Sequence, residues 1–153
     1  MGELQELTKF IAECRKFSLR GSQHAINSVF AMIWRKDSTI IDLAVQAADT
    51  LFVQNPNGEI VSKRSVDNLM DVMMEASAEE RLSLEETLVR VVEKKKRMPI
   101  QIVDSLWECV VSEEAEVEKR LAAVRLMSVF GRYVQGGAKV RQPPSPLLTN
   151  VTF

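Results

Sequence analysis

Residues able to do chemistry are few and scattered in this chain. Its 153 residues include one histidine, His24, and two cysteines, Cys14 and Cys109. A Cys–His nucleophile needs thiol and imidazole within hydrogen-bond reach, with a third group to orient the base. A corner between two helices could bring Cys14 to His24, but no acidic orienter stands out near either. One histidine and two distant thiols also lack the clustered spacing of a zinc site. Three acidic pairs, Glu79/Glu80, Glu85/Glu86 and Glu113/Glu114, have the side chains for general acid–base work. Each is expected in a first helical turn or a bend, where carboxylates complement the helix dipole. Neither a G-x-x-x-x-G-K-[ST] phosphate loop nor a G-x-G-x-x-G fingerprint occurs. The expectation is a protein without catalytic residues, metal, cofactor or small-molecule substrate. The competing reading is a small helical enzyme using Cys14 and His24. Alkylation of Cys14 at neutral pH would support it, and inertness in the folded state would remove it.

Two polar features suit binding rather than catalysis. The run Lys94, Lys95, Lys96 and Arg97 closes a helical pattern, and cations there favour the dipole and stay solvated. The same cluster could contact phosphates, or act in nuclear import. Four phosphate contacts would give a salt slope of about −3.6, at roughly 0.9 per phosphate. No base-reading element accompanies the cluster, so DNA binding through it would be non-specific. Ser145, within "PPSPL", fits a minimal proline-directed phosphorylation site. A phosphate there would add nearly two negative charges and could tune docking.

The elements that must position these residues are helical. The chain is 46% hydrophobic and 27% charged, with only six glycines and five prolines, a composition suited to a folded helical domain. Its net charge of −1 gives no global attraction to nucleic acid or membrane. No stretch approaches the roughly 18 apolar residues of a membrane span, and "MGELQELTKF" lacks a signal-peptide profile. Free thiols suit a reducing compartment, cytosol or nucleus.

Helical periodicity marks seven helices. Leu7, Phe10, Ile11, Cys14 and Phe17 stripe the first, about residues 3–17. Ser22 is placed to cap the second, striped by Ile26, Val29, Phe30 and Ile33 and closed by Trp34. Asp37 or Ser38 caps the third, which carries Ile41, Ala44, Val45, Ala48, Leu51 and Phe52, and the turn "NPNG" ends it. The fourth bears Val66, Leu69, Met70, Met73 and Met74. This methionine stripe reads as core, or as an adaptable groove for a partner. Two capping-box patterns follow, Ser77 with Glu80 and Ser83 with Glu86, so the chain is expected to restart between them. The fifth helix carries Leu84, Leu88, Val91 and Val92. Pro99 opens the sixth, striped by Val103, Leu106, Trp107, Val110 and Val111. The seventh, about 116–134, is apolar around most of its circumference and should be buried or need a further neighbour. Residues 135–153 lose periodicity and read as a disordered Gly/Pro-containing tail beyond a helical domain of 3–134.

Two helix pairs share a grammar. "NSVFAMIWRKD" runs into "STIIDLAVQAADTLF", and "IQIVDSLWECVVS" into "EVEKRLAAVRLMSVFG". Each first helix has a tryptophan near its end, and each second helix is rich in small residues that let two axes approach. Trp34 and Trp107 lie 73 residues apart, close to two units of a helical hairpin repeating about every 40 residues. The pattern is that of HEAT-like repeats, which stack to share one core because a single unit cannot bury its apolar face. The fold class expected is all-α, an α-solenoid fragment with Trp34 and Trp107 as large core anchors at its corners. An open apolar end should make the isolated chain self-associate.

On these residues the chain resembles a known family. "KFSLRGSQHAINSVFAMIWRKDSTIIDLAVQAADTLF" is similar to the HEAT segment of the D-type regulatory subunits of condensin (condensin complex subunit 1). The likeness continues through "LVRVVEKKKRMPIQIVDSLWECV" and "EKRLAAVRLMSVFGR", covering about residues 9–133. Members of that family are far longer, with more repeats on both sides. The resemblance implies a non-catalytic scaffold that binds a kleisin and the coiled-coil SMC ATPase subunits and takes part in DNA engagement and mitotic chromosome condensation. Location in the nucleus and on chromosomes, and also in the cytoplasm, goes with it. A generic helical-repeat adaptor unrelated to chromosomes is the alternative, and partner identity separates the two.

Overall fold

The computed structural model describes residues 2–17, 19–53, 63–95 and 100–131. Among them are seven α-helices and no strand: α1 (Gly2–Lys16), α2 (Ser22–Ala31), α3 (Ser38–Ala48), α4 (Lys63–Glu75), α5 (Ala78–Lys95), α6 (Ile100–Val111) and α7 (Val117–Gly131). The fold is all-α, a HEAT-like stack of helical hairpins, as the periodicity predicts. The "NPNG" turn, Pro99 and the tail from 135 onward lie outside the described residues.

Local chemistry sets most of the helix ends. Gly21 precedes α2 with φ of 78°, a left-handed conformation that glycine adopts without steric cost. Gly21 is therefore the cap residue, and Ser22, expected in that role, is the buried first residue of the helix. Asp37 caps α3 by accepting a hydrogen bond from the Thr39 N–H at 2.8 Å. A complete capping box starts α5: the Ser77 N–H donates to Glu80 Oε2 at 2.8 Å, and the Glu80 N–H donates to Ser77 Oγ at 3.3 Å. The second box does not form. Ser83 is buried inside an unbroken α5, so the expected restart is absent and Glu85/Glu86 lie mid-helix rather than in a first turn. The corner between α4 and α5 is clasped by Arg81, whose guanidinium donates to the carbonyls of Met73 and Met74 at 3.1 and 3.3 Å. These are carbonyls of the last turn of α4, which lack partners within that helix.

Two irregular turns adjust the helices to the stack. A 3₁₀ turn, Met32–Trp34, tightens the end of α2, and a π-helical turn, Asp49–Val53, widens the end of α3. Leu51, Phe52 and Val53 in the wider turn are all buried. Phe52 meets Phe30 with ring centroids 6.0 Å apart, a tilted pair that contributes about 1 kcal/mol beyond its area burial.

One continuous core runs through the stack, from Ile26 and Phe30 through Val66, Leu69 and Met73 to Leu106, Leu126 and Phe130. α2 and α3 pack on α5, α5 on α7, and α4 on α6 and α7. α1 packs on α2 and α3, which puts it at the opposite end from the α6–α7 hairpin.

The structure corrects the sequence reading at both ends. α1 buries Thr8 and Ala12, the small face opposite Leu43 and Ala47 of α3. Three residues of its expected stripe, Leu7, Phe10 and Phe17, point to solvent. The two tryptophans are not core anchors: Trp34 is 61% exposed and Trp107 42%. The 3₁₀ turn swings Trp34 out to the rim of the corner. In α6 the inward positions belong to Ile102 and Leu106, which leaves Trp107, one residue further round, at the surface. α7 buries Ala122, Ala123, Leu126, Val129 and Phe130 but exposes Val117, Leu121 and Val124, so the expected need for a further neighbour is met on one face only.

Candidate functional site

Trp34 works at its tip. Its Nε1–H donates to Ser83 Oγ at 2.9 Å, and that hydroxyl donates in turn to the Glu79 carbonyl at 3.1 Å. This relay ties the α2–α3 corner to α5 and satisfies an indole N–H that would otherwise face the joint unpaired. The periodicity marked Trp34 as important but assigned it the wrong contact.

The reactive residues do not assemble. Cys14 on α1 and Cys109 on α6 are free, half-buried thiols on helices at opposite ends of the stack. No hydrogen bond joins Cys14 to His24 among the described residues. His24 is an exposed residue in the first turn of α2. Glu80 sits below the ordinary carboxylate range chiefly because it accepts the Ser77 backbone hydrogen bond. Of the remaining acidic pairs, Glu86 is held by Arg90 at 2.9 Å, and Glu113/Glu114 lie in the bend before α7. Among the described residues, no group of three or more His, Cys, Asp or Glu side chains is placed to hold a metal ion, and no helix is long and apolar enough to cross a membrane.

The basic cluster is divided. Lys94 and Lys95 form the last turn of α5, while Lys96 and Arg97 lie outside the described residues, as does Ser145. Both described lysines reach back, Lys94 to α3 and Lys95 to the π-helical turn that follows it. Lys94 Nζ lies 3.5 Å from Asp42 Oδ1 in an exposed pair. Lys95 Nζ lies 2.7 Å from Asp49 Oδ1 in a half-buried one. Two of the four charges proposed for phosphate contact are thus partly neutralised within the protein, and they help hold α5 on α3 and the turn after it.

A third cross-stack pair joins α7 to α4, with Lys119 Nζ 3.0 Å from Asp67 Oδ1. The hydrogen bond to Asp67 holds the Lys119 ammonium above the ordinary lysine range, with the nearby charges of Asp67 and Asp71 acting in the same direction. The stability this pair adds is present below the unfolded lysine pKa and is lost only as pH rises through the folded value. Of the expected methionine stripe, Met70 and Met73 are core, whereas Met74 is half-buried beside a groove lined also by Met70.

The geometry defines a class: an all-α stack of hairpins whose polar side chains serve mainly to fix one helix on the next. Sequence comparison gives it a particular neighbour. The chain is 28% identical over 159 residues to Condensin complex subunit 1 of Caenorhabditis elegans. The match covers 91% of this chain and 11% of the relative, so the chain spans about a ninth of that protein's length. No family model matches the chain, and no solved structure matches it.

Proposed function

We propose that this chain is a non-catalytic scaffold segment of a condensin regulatory subunit, acting in mitotic chromosome condensation. The observation that carries the reading is the similarity to Condensin complex subunit 1 across nine-tenths of the chain. The fold supports it, because a stack of hairpins offers long surfaces to protein partners and little enclosure for a substrate. By the same resemblance its partners are a kleisin and SMC ATPase subunits, and its place is the nucleus and chromosome. ATP hydrolysis belongs to other subunits, and the segment contributes geometry, holding partners at fixed positions along the stack.

DNA contact by Lys94 to Arg97 is the finer part of this proposal. It would be non-specific and confined to phosphates. Phosphorylation of Ser145 is a further part, and would place negative charge beyond α7.

Affinity purification of the endogenous protein from dividing cells, with mass spectrometry of what accompanies it, tests the reading. Recovery of coiled-coil ATPases and a kleisin is the expected result. A different stable partner set without them would leave a helical-repeat adaptor outside chromosome biology.

A further inference from the structure

An open groove of about 690 Å³ runs between α4 and the α6–α7 corner. Its apolar floor is offered by the half-buried Met74 of α4 and Cys109 of α6, over the core residues Val66 and Met70. Unbranched methionine side chains can repack around differently shaped partners. Its rim is acidic. Asp67, Asp71, Glu108, Glu114 and Glu116 line it, against two cations, Lys63 and Lys119. Lys119 is already engaged by Asp67, so the remaining field is strongly negative.

Local helix energetics do not account for all of these carboxylates. Glu116 lies just before α7, where a negative charge complements the dipole. Glu108 does the opposite: it stands in the last turn of α6, at the negative end, a turn with no basic residue of its own, although Arg120 of α7 donates to its Val110 carbonyl. Asp71 stands one residue before the last turn of α4, whose carbonyls Arg81 already caps, and its charge helps hold the Lys119 ammonium. Both carboxylates face the same apolar floor, whose low polarisability towards charge strengthens their field. A cationic occupant would relieve both.

The occupant's chemistry follows from this spacing. The carboxylates are too dispersed for a metal ion, since no triad of possible ligands is placed to hold one among the described residues. A nucleic acid would be repelled. What fits is a chain that distributes several positive charges while presenting apolar side chains to Met74 and Cys109. The α4 stripe from Lys63 to Met74 spans twelve residues, or about 16 Å over its eleven steps at 1.5 Å each, enough to seat about three turns of a helix.

We propose that this groove docks a lysine- or arginine-bearing amphipathic segment of a protein partner. The inference rests on the scaffold reading only in requiring that the chain bind proteins. It also separates functions by face, with acidic peptide-docking carboxylates on α4 and α6 and the basic cluster at the end of α5.

The test uses the full chain and a labelled synthetic peptide with leucines at helical spacing and lysines on the opposite face. A counterpart carrying glutamate at every lysine position is the control. Fluorescence anisotropy should show binding of the lysine peptide only, weakening as salt is added. The double variant Asp71→Lys/Glu108→Lys should lose about tenfold or more in affinity, and Asp71→Asn/Glu108→Gln should fall between it and the parent. Circular dichroism establishes that both variants keep their helicity. Methyl NMR locates the site: the Met74 resonance should shift on peptide addition while that of Met32, outside the groove, stays in place. Equal binding of the two peptides, affinity indifferent to the charge changes, or a shift at Met32 without one at Met74 would each overturn the proposal. The parent reading fails separately. A groove variant that still recovers the same partners from cells removes the groove and leaves the scaffold, whereas an unmodified chain that recovers no condensin subunits removes the condensin assignment.

Discussion

Ser77 and Ser83 carry the same side chain six residues apart, and their surroundings give them different work. Ser77 exchanges hydrogen bonds with Glu80 at the open end of α5, while Ser83 receives the Trp34 indole from another hairpin. Ser77→Ala should therefore cost about 1 kcal/mol of stability, the usual loss for a helix cap, read as a lower urea midpoint at unchanged slope. Glu80 adds a pH dependence. Its folded pKa is lowered, so its contribution is present above the unfolded value of about 4.3 and is lost as pH falls through the folded one. Alanine at 77 keeps the backbone N–H that holds this carboxylate, so Ser77→Ala and its parent should both lose the contribution in acid, whereas the stability deficit of Glu80→Ala should shrink as pH falls. Both serines are followed by glutamate at the third position, so a capping signature alone cannot separate them. Trp34, distant in sequence, decides the matter for Ser83. Long-range partners of this kind are invisible to a reading that moves along the chain a few residues at a time.

Periodicity locates an element more readily than it orients one. All seven helices announce themselves by apolar spacing, yet α1 turns its smaller face inward and α6 centres its buried side on Ile102 and Leu106. An apolar stripe is compatible with burial by any neighbour, including one supplied from outside the chain. The charged pairs between elements were equally hidden, because Asp42 of α3 and Asp49 of the π-helical turn after it lie far along the sequence from Lys94 and Lys95. They now grade the basic cluster. Lys95→Gln should destabilise the protein measurably, whereas Lys94→Gln should change stability by no more than a few tenths of a kcal/mol, its pair being long and exposed. Thermal unfolding of the two variants checks the order. With both lysines engaged within the protein, duplex DNA should bind with a salt slope near −1.8, about two phosphates' worth, instead of about −3.6. Titrations across salt concentrations give the number. Replacement of Lys94 to Arg97 with neutral residues should flatten that dependence and leave helicity unchanged, and unchanged affinity would remove the DNA contact.

At the scale of the molecule, the two ends of the stack differ from its sides. Phe10 of α1 is 66% exposed and Leu121 of α7 is 58% exposed, each with apolar neighbours on its own helix, and the two helices lie at opposite ends. Different apolar faces on one molecule favour head-to-tail contact, which does not close on itself. In sedimentation, the isolated chain should associate progressively with concentration. Phe10→Glu and Leu121→Glu should each suppress that association, and a mixture of the two should form a dimer through the one intact pair of faces. A monomer at high concentration would show that the faces are already covered. The all-α stack was legible in the sequence because every level agreed on it, from caps to small-residue helices. The acidic groove was not, since it draws on α4, α6 and the corner before α7, and no single stretch carries its pattern. The exposure of Trp34 and Trp107 has an optical consequence. One indole marks the joint between α3 and α5 and the other the α6 side of the open end, so the protein carries its own fluorescent gauges. Emission from a variant keeping only Trp107 should move to shorter wavelength when that end is covered, while one keeping only Trp34 reports on the α5 joint, allowing the order in which a larger assembly closes around the stack to be followed without an added dye.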